Sequence, residues 1–194
     1  KDEIVGRGIT NTRANYKVAA DIAKEQAIYD ARFNLIEKRT GSNISAKPEF
    51  KKYMQDLRSV FQYCQFKRRM DSLELLLIET ANGFAYNKKE QITARLKAII
   101  NLIRPQMKHE FVNEGLGSKN QFFRDIVSEK YNVQVEKSET EFYEPLMLAF
   151  DKSITPVENE MVQYNFKELV NEAMQFLEEK YAGLADQQED DSKE

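Results

Sequence analysis

The chain of 194 residues has one cysteine, one histidine, seven glycines and four prolines, and nowhere strings together 18 apolar residues. Each scarcity narrows the field. A lone thiol, Cys64, cannot close an intramolecular disulfide, so a reducing, cytoplasmic setting is expected. One histidine and one cysteine fall short of any structural zinc set, and of the paired Glu-x-x-His motifs of a di-iron bundle. Acids clustered at loop spacing, which Mg²⁺ or Ca²⁺ would need, are also missing. Scarce Gly and Pro favour long helices over the many turns of a β architecture. Without a long apolar run no membrane-spanning helix is expected, although Lys1 in place of an initiator Met leaves room for a targeting segment cleaved upstream.

Reactive constellations are equally thin. Gly6-Arg7-Gly8 lacks the third glycine and the preceding strand of a dinucleotide-binding fingerprint. Cys64 and His109 are the only thiol and imidazole available for a nucleophile–base pair, and no flanking signature brings them together. The sequence therefore predicts a non-enzyme, with no catalytic residue, cofactor or metal ligand.

What the chain has in quantity is helical periodicity. It is 41% hydrophobic and 31% charged, and steps of three and four recur through most of it. From Thr12 to Arg39 the positions Val18, Ile22, Tyr29, Phe33 and Ile36 share a face. A ridge of Ala19, Ala20, Ala23, Ala27 and Ala31 would let another helix approach closely. Gly41 suits the exit. The stretch Phe50–Thr80 carries the longest stripe: Phe50, Met54, Leu57, Phe61, Cys64. Arg68 and Asp71 fall where that stripe should continue, and one uninterrupted helix is expected across them. Pro105 predicts a kink or an end near Arg104. Alternation of Val133 and Val135 makes 132–137 the only β candidate. Thr155-Pro156-Val157-Glu158 reads as the start of a last helix running to about Tyr181 and leaving at Gly183.

These features predict an all-α, elongated bundle of about five to seven helices. A flexible arm, 1–11, would precede a helical domain, 12–184, with a hinge at 114–118 and a disordered acidic tail, 185–194.

Charge is unevenly spread. Residues 1–104 hold 20 basic and 12 acidic residues, and residues 105–194 hold 9 and 20, so a basic first half precedes an acidic second half. The halves could neutralise one another inside the fold, or either could meet an outside partner. Lys51, Lys52, Arg58, Lys67, Arg68 and Arg69 form the candidate interaction surface, with Phe61, Tyr63 and Phe66 interleaved. Rich periodicity without reactive groups favours an assembly, adaptor or chaperone-like subunit that binds other protein chains, as a homo-oligomer or in a larger complex. The alternative is a nucleic-acid-binding or regulatory protein, whose cations grip phosphates while aromatics stack on bases.

Overall fold

The computed structural model describes residues 4–9, 16–84, 87–119, 122–160 and 165–191, with backbone only for 118, 119 and 184–191. Among the described residues there are seven α-helices and no strand. They are α1 (Tyr16–Arg39), α2 (Ser42–Ser45), α3 (Pro48–Phe84), α4 (Lys89–Val112), α5 (Phe123–Glu136), α6 (Thr140–Glu158) and α7 (Phe166–Asp191), with a 3₁₀ turn over Leu116–Lys119. None of these helices is long and apolar enough to cross a membrane. The protein is an all-α bundle, and the upper end of the expected helix number is reached.

Helix α3 is its axis, and runs unbroken through Arg68 and Asp71. The apolar stripe does not stop there; it changes phase. The first set passes through Met54, Leu57, Phe61 and Cys64, and a second through Tyr63, Phe66, Met70, Leu73, Leu77 and Ala81, all buried. The shift follows a change of neighbours. Phe61 meets Tyr29 and Phe33 of α1 and Phe166 of α7, whereas Phe66 meets Phe111 of α4 and Phe123 of α5. Thr80 Oγ1 reaches Ser153 Oγ of α6 at 3.2 Å. Where the two stripes overlap, from Ser59 to Phe66, nearly every side chain is buried. A helix enclosed on several sides keeps little solvent-facing surface there.

Three local expectations are corrected. Pro105 does not end α4, which continues to Val112. Pro105 and Asn101, the residue whose carbonyl loses its amide partner, both lie on the exposed side, where water can take up that carbonyl. The β candidate is the last turns of α5, because Tyr131 and Val135 share its buried face while Val133 is 44% exposed; packing overrides a weak strand preference. Thr155-Pro156 closes α6 instead of opening the last helix. The buried series Phe142, Leu146, Ala149, Ser153, Ile154, Val157 runs straight through that signal, and a continuous buried face outweighs a capping motif.

The last helix opens at Asn165. Its Oδ1 accepts the Lys167 amide at 3.0 Å, and its Nδ2 donates to Glu168 Oε1 at 3.2 Å, so cap and acid satisfy one another. The backbone of α7 then passes Gly183 and stays helical to Asp191. One glycine costs a helix only about 1 kcal/mol, and the flanking Ala, Leu and Gln residues favour continuation. Residues 192–194 lie outside the described residues.

Two glycines permit what no other residue would. Gly41, between α1 and α2, has a φ of +85° and a ψ of 148°, a positive-φ backbone that favours glycine but not the expected left-handed helical cap. Gly117 lies against α3, where a Cβ would sit 2.6 Å from the Ser59 Cα. Ser59, fully buried, donates from Oγ to the Phe111 carbonyl at 2.7 Å and accepts the Gly117 amide at 3.0 Å. That hydroxyl pins the segment read as a hinge to the middle of α3.

Candidate interaction surface and the cleft beneath α1

The structure does not gather the six candidate cations into one patch. Lys51 and Lys52 are exposed near the start of α3. Arg58 points to α1, where it donates to Asp30 Oδ1 at 2.7 Å, Asn34 Oδ1 at 2.7 Å and Glu37 Oε1 at 3.0 Å, and lies over the Phe33 ring. Lys67 and Arg68 both reach Glu172 of α7, at 2.8 and 3.3 Å. The hydrogen bond to Glu172 raises the Lys67 pKa, against the opposing effect of burial. Arg68 therefore meets an acid of the second half. Asp71 joins Glu74 in holding Arg104, each at 2.7 Å.

The uneven charge of the chain is thus partly consumed by internal pairing. Lys88 and Arg95 of α4's approach and first turns bind Glu141 and Glu139 at the start of α6. A second junction joins α3, α4 and α7. There Lys180 donates to Asp56 Oδ2 at 3.1 Å and to the Val112 carbonyl at 2.7 Å, while the Tyr181 hydroxyl donates to the same Asp56 oxygen at 2.8 Å. Burial and that bond to Asp56 push the Tyr181 phenol up to about 12. Such three-way junctions hold helices in register where apolar packing alone would let them slide.

Arg69 stands apart. Among the described residues it has neither a hydrogen bond nor an acidic partner; its Nε is buried and unpaired, and its guanidinium faces the Phe123 ring at 6.0 Å. It lines a cleft of about 540 Å³ between α1 and α3. The α3 wall of that cleft carries Gln55, Arg58, Gln62, Gln65 and Arg69, spaced 3, 4, 3 and 4 apart, which places them on one helical face. This polar stripe runs beside the apolar one and is readable in the sequence from its spacing.

Helix α1 supplies the opposite wall and buries little else. Only Ala19, Tyr29 and Phe33 of its 24 residues are buried. The alanine ridge receives the N-terminal segment in place of a helix: Gly6 packs on the Ala27 carbonyl and Gly8 on the Ala23 carbonyl. The Arg7 amide donates to Asp30 Oδ2 at 2.9 Å, and Asn34 Nδ2 to the Val5 carbonyl at 2.9 Å. On the outside of α1, Ile28 and Leu35 are exposed, 42% and 49%. Leu35, Ala31, Ile4 and Val5 line a shallow hollow of about 440 Å³. Lys24, Arg32 and Arg39 are exposed on the same helix, at angular positions within about one residue's turn of Ile28 and Leu35.

Cys64 and His109 are not a pair. Cys64 is fully buried in α3, and burial pushes its thiol up to about 12. His109 is at the surface, its Nδ1 3.3 Å from Glu114. Among the described residues no group of three or more His, Cys, Asp or Glu is placed to hold a metal ion. No protein-family model, curated protein or solved structure matches this chain.

Proposed function

We propose that the protein is a non-catalytic helical assembly subunit, and that it binds an acidic amphipathic helix of another protein along the outer face of α1 and the arm. The observation that carries this reading is the juxtaposition on α1 of exposed Ile28 and Leu35, the hollow that Leu35 lines with Ile4 and Val5, and the cations Lys24, Arg32 and Arg39. An apolar stripe edged by positive charge is complementary to an apolar stripe edged by negative charge, and helix-on-helix docking reads such anchors at seven-residue spacing. The non-catalytic part draws on a thiol locked in the core and a histidine apart from it.

The nucleic-acid alternative draws less support from the same geometry. Arg58, Lys67 and Arg68 already hold carboxylates, so releasing them to phosphates would break contacts between helices.

A photo-crosslinking residue placed at Leu35, and separately at Ile28, in cells that make the protein tests the reading. The expected product joins the chain to one other protein through an acidic helix, and does not form from Leu102, which is 52% exposed on α4. A product containing two copies of this chain only, or equal products from all three positions, would overturn it.

A further inference from the structure

We propose that the cleft between α1 and α3 is a binding site for a small organic carboxylate with an aromatic or otherwise apolar body, held at its charged end by Arg69 and Gln65. The inference goes beyond the docking of a protein on the outer face of α1 and does not depend on it.

One buried donor without a partner, the Arg69 Nε, and a carboxamide beside it, that of Gln65, mark the site. Gln65 is 4% exposed, lines the cleft, and its carboxamide makes no hydrogen bond among the described residues. Arg69, one helical turn further on, has its Nε sealed from solvent and unpaired. Residues four apart on a helix face the same way with their Cβ atoms about 6 Å apart, so the guanidinium and the carboxamide approach one ligand group from adjacent turns. A buried polar atom in a folded protein is ordinarily satisfied, and the Arg69 exception, beside a carboxamide that also lacks a hydrogen bond among the described residues at the same cavity, points to a partner that enters it.

The charge of the cleft selects an anion. The two acids among its described lining residues are already matched: Asp30 by Arg58 at 2.7 Å, and Glu158 by Arg124 at 3.5 Å. Arg69 inside and the exposed Arg7 beside the opening are left without acidic partners among the described residues. The shape of the donors selects a carboxylate over a phosphate. One planar guanidinium with one amide donor matches two in-plane oxygens, whereas a dianionic phosphate would bring its second charge close to Asp30 and Glu158. The walls select the rest of the ligand: Phe61, Phe66, Phe122 and Phe123 line the same space, and ring edges and faces there would receive a flat apolar body. A volume of about 540 Å³ falls within the usual range for small-molecule sites.

The test uses the whole chain, with 3-phenylpropanoate as probe and its amide, 3-phenylpropanamide, as the uncharged counterpart, each titrated by calorimetry and by NMR shifts of the Gln65 side-chain amide. The carboxylate is expected to bind with its shifts centred on Gln65 and Phe123, and the amide at least about tenfold more weakly, the loss typical of one charge-assisted pair. Arg69→Met should weaken the carboxylate by a similar factor and leave the amide unchanged. Gln65→Glu, which keeps the size of the side chain and adds a negative charge, should exclude the carboxylate while helical content stays as in the parent. Equal binding of acid and amide, no binding of the acid in the millimolar range, or full binding by a folded Arg69→Met chain would overturn the proposal.

Discussion

Helix α1 and helix α3 are both amphipathic by sequence, yet they end in different physical situations. Of the 24 residues of α1 three are buried, and of the 37 of α3 thirteen are. Helix α3 is wrapped by α4, α5, α6 and α7, and from Ser59 to Phe66 every side chain but Gln62 is buried. Helix α1 stands off from it across a cleft, touching through Tyr29 and Phe33 and through the forked grip of Arg58. The difference teaches that periodicity reports which face of a helix is apolar, not how much of that face the rest of the chain can cover. In α3 the apolar face is spent on the fold. In α1 part of it, with the arm, stays exposed.

The widest gap between the two regions should appear on truncation. Leu73→Ala, at a fully buried site in α3, is expected to cost about 2–5 kcal/mol, and Ile28→Ala on α1 no more than about 0.5 kcal/mol; urea unfolding of both variants measures the contrast. Next comes the junction of α3, α4 and α7. Asp56→Ala leaves Lys180, whose side chain is only 14% exposed, and the Tyr181 hydroxyl without their acceptor, at a cost of about 3 kcal/mol read by the same unfolding curves.

Alkaline pH should also strike the body first. The Cys64 thiol and the Tyr181 phenol are both pushed up to about 12, and Lys67 is raised by its bond to Glu172. All three favour the protonated form in the folded chain. Their contribution is complete below the ordinary pKa values of 9.0 for the thiol, 10.0 for the phenol and 10.5 for the lysine, and is lost as pH rises towards the folded values. The unfolding midpoint should hold to about pH 9 and then fall, and Tyr181→Phe should flatten the part of the fall above pH 10. The smallest effect belongs to the arm. Gly8→Ala places a methyl group on the Ala23 carbonyl, so the segment 4–9 should lift from α1, gaining protease sensitivity while the unfolding midpoint of the body stays within about 0.5 kcal/mol of the parent.

Much of the fold was legible because steps of three and four persist along the chain: the all-α class, the unbroken α3 and the exit of α1 at Gly41 follow from local pattern. What was not legible depends on neighbours distant in sequence. The shift of the α3 stripe from Cys64 to Tyr63 and Phe66 requires knowing that α1 gives way to α4 and α5. Thr155-Pro156 has the chemistry of a helix start, and only the packing of Ser153, Ile154 and Val157 makes it an end. The same holds for the site. Composition correctly located an excess of cations between Lys51 and Arg69, but the acids Asp30, Glu37 and Glu172 that absorb half of them lie 21 to 105 residues away. Arg69 differs from Arg68 by one residue and by the whole of its surroundings.

Native-state hydrogen exchange of the intact chain tests most directly whether α1 is a lightly held layer on a tightly packed body. The amides of Ala23–Glu37 are expected to exchange through openings of lower free energy than those of Val60–Ala81, and Phe33→Ala to lower protection in α1 while leaving α3 unchanged. Equal protection of the two helices, lost together in Phe33→Ala, would contradict it.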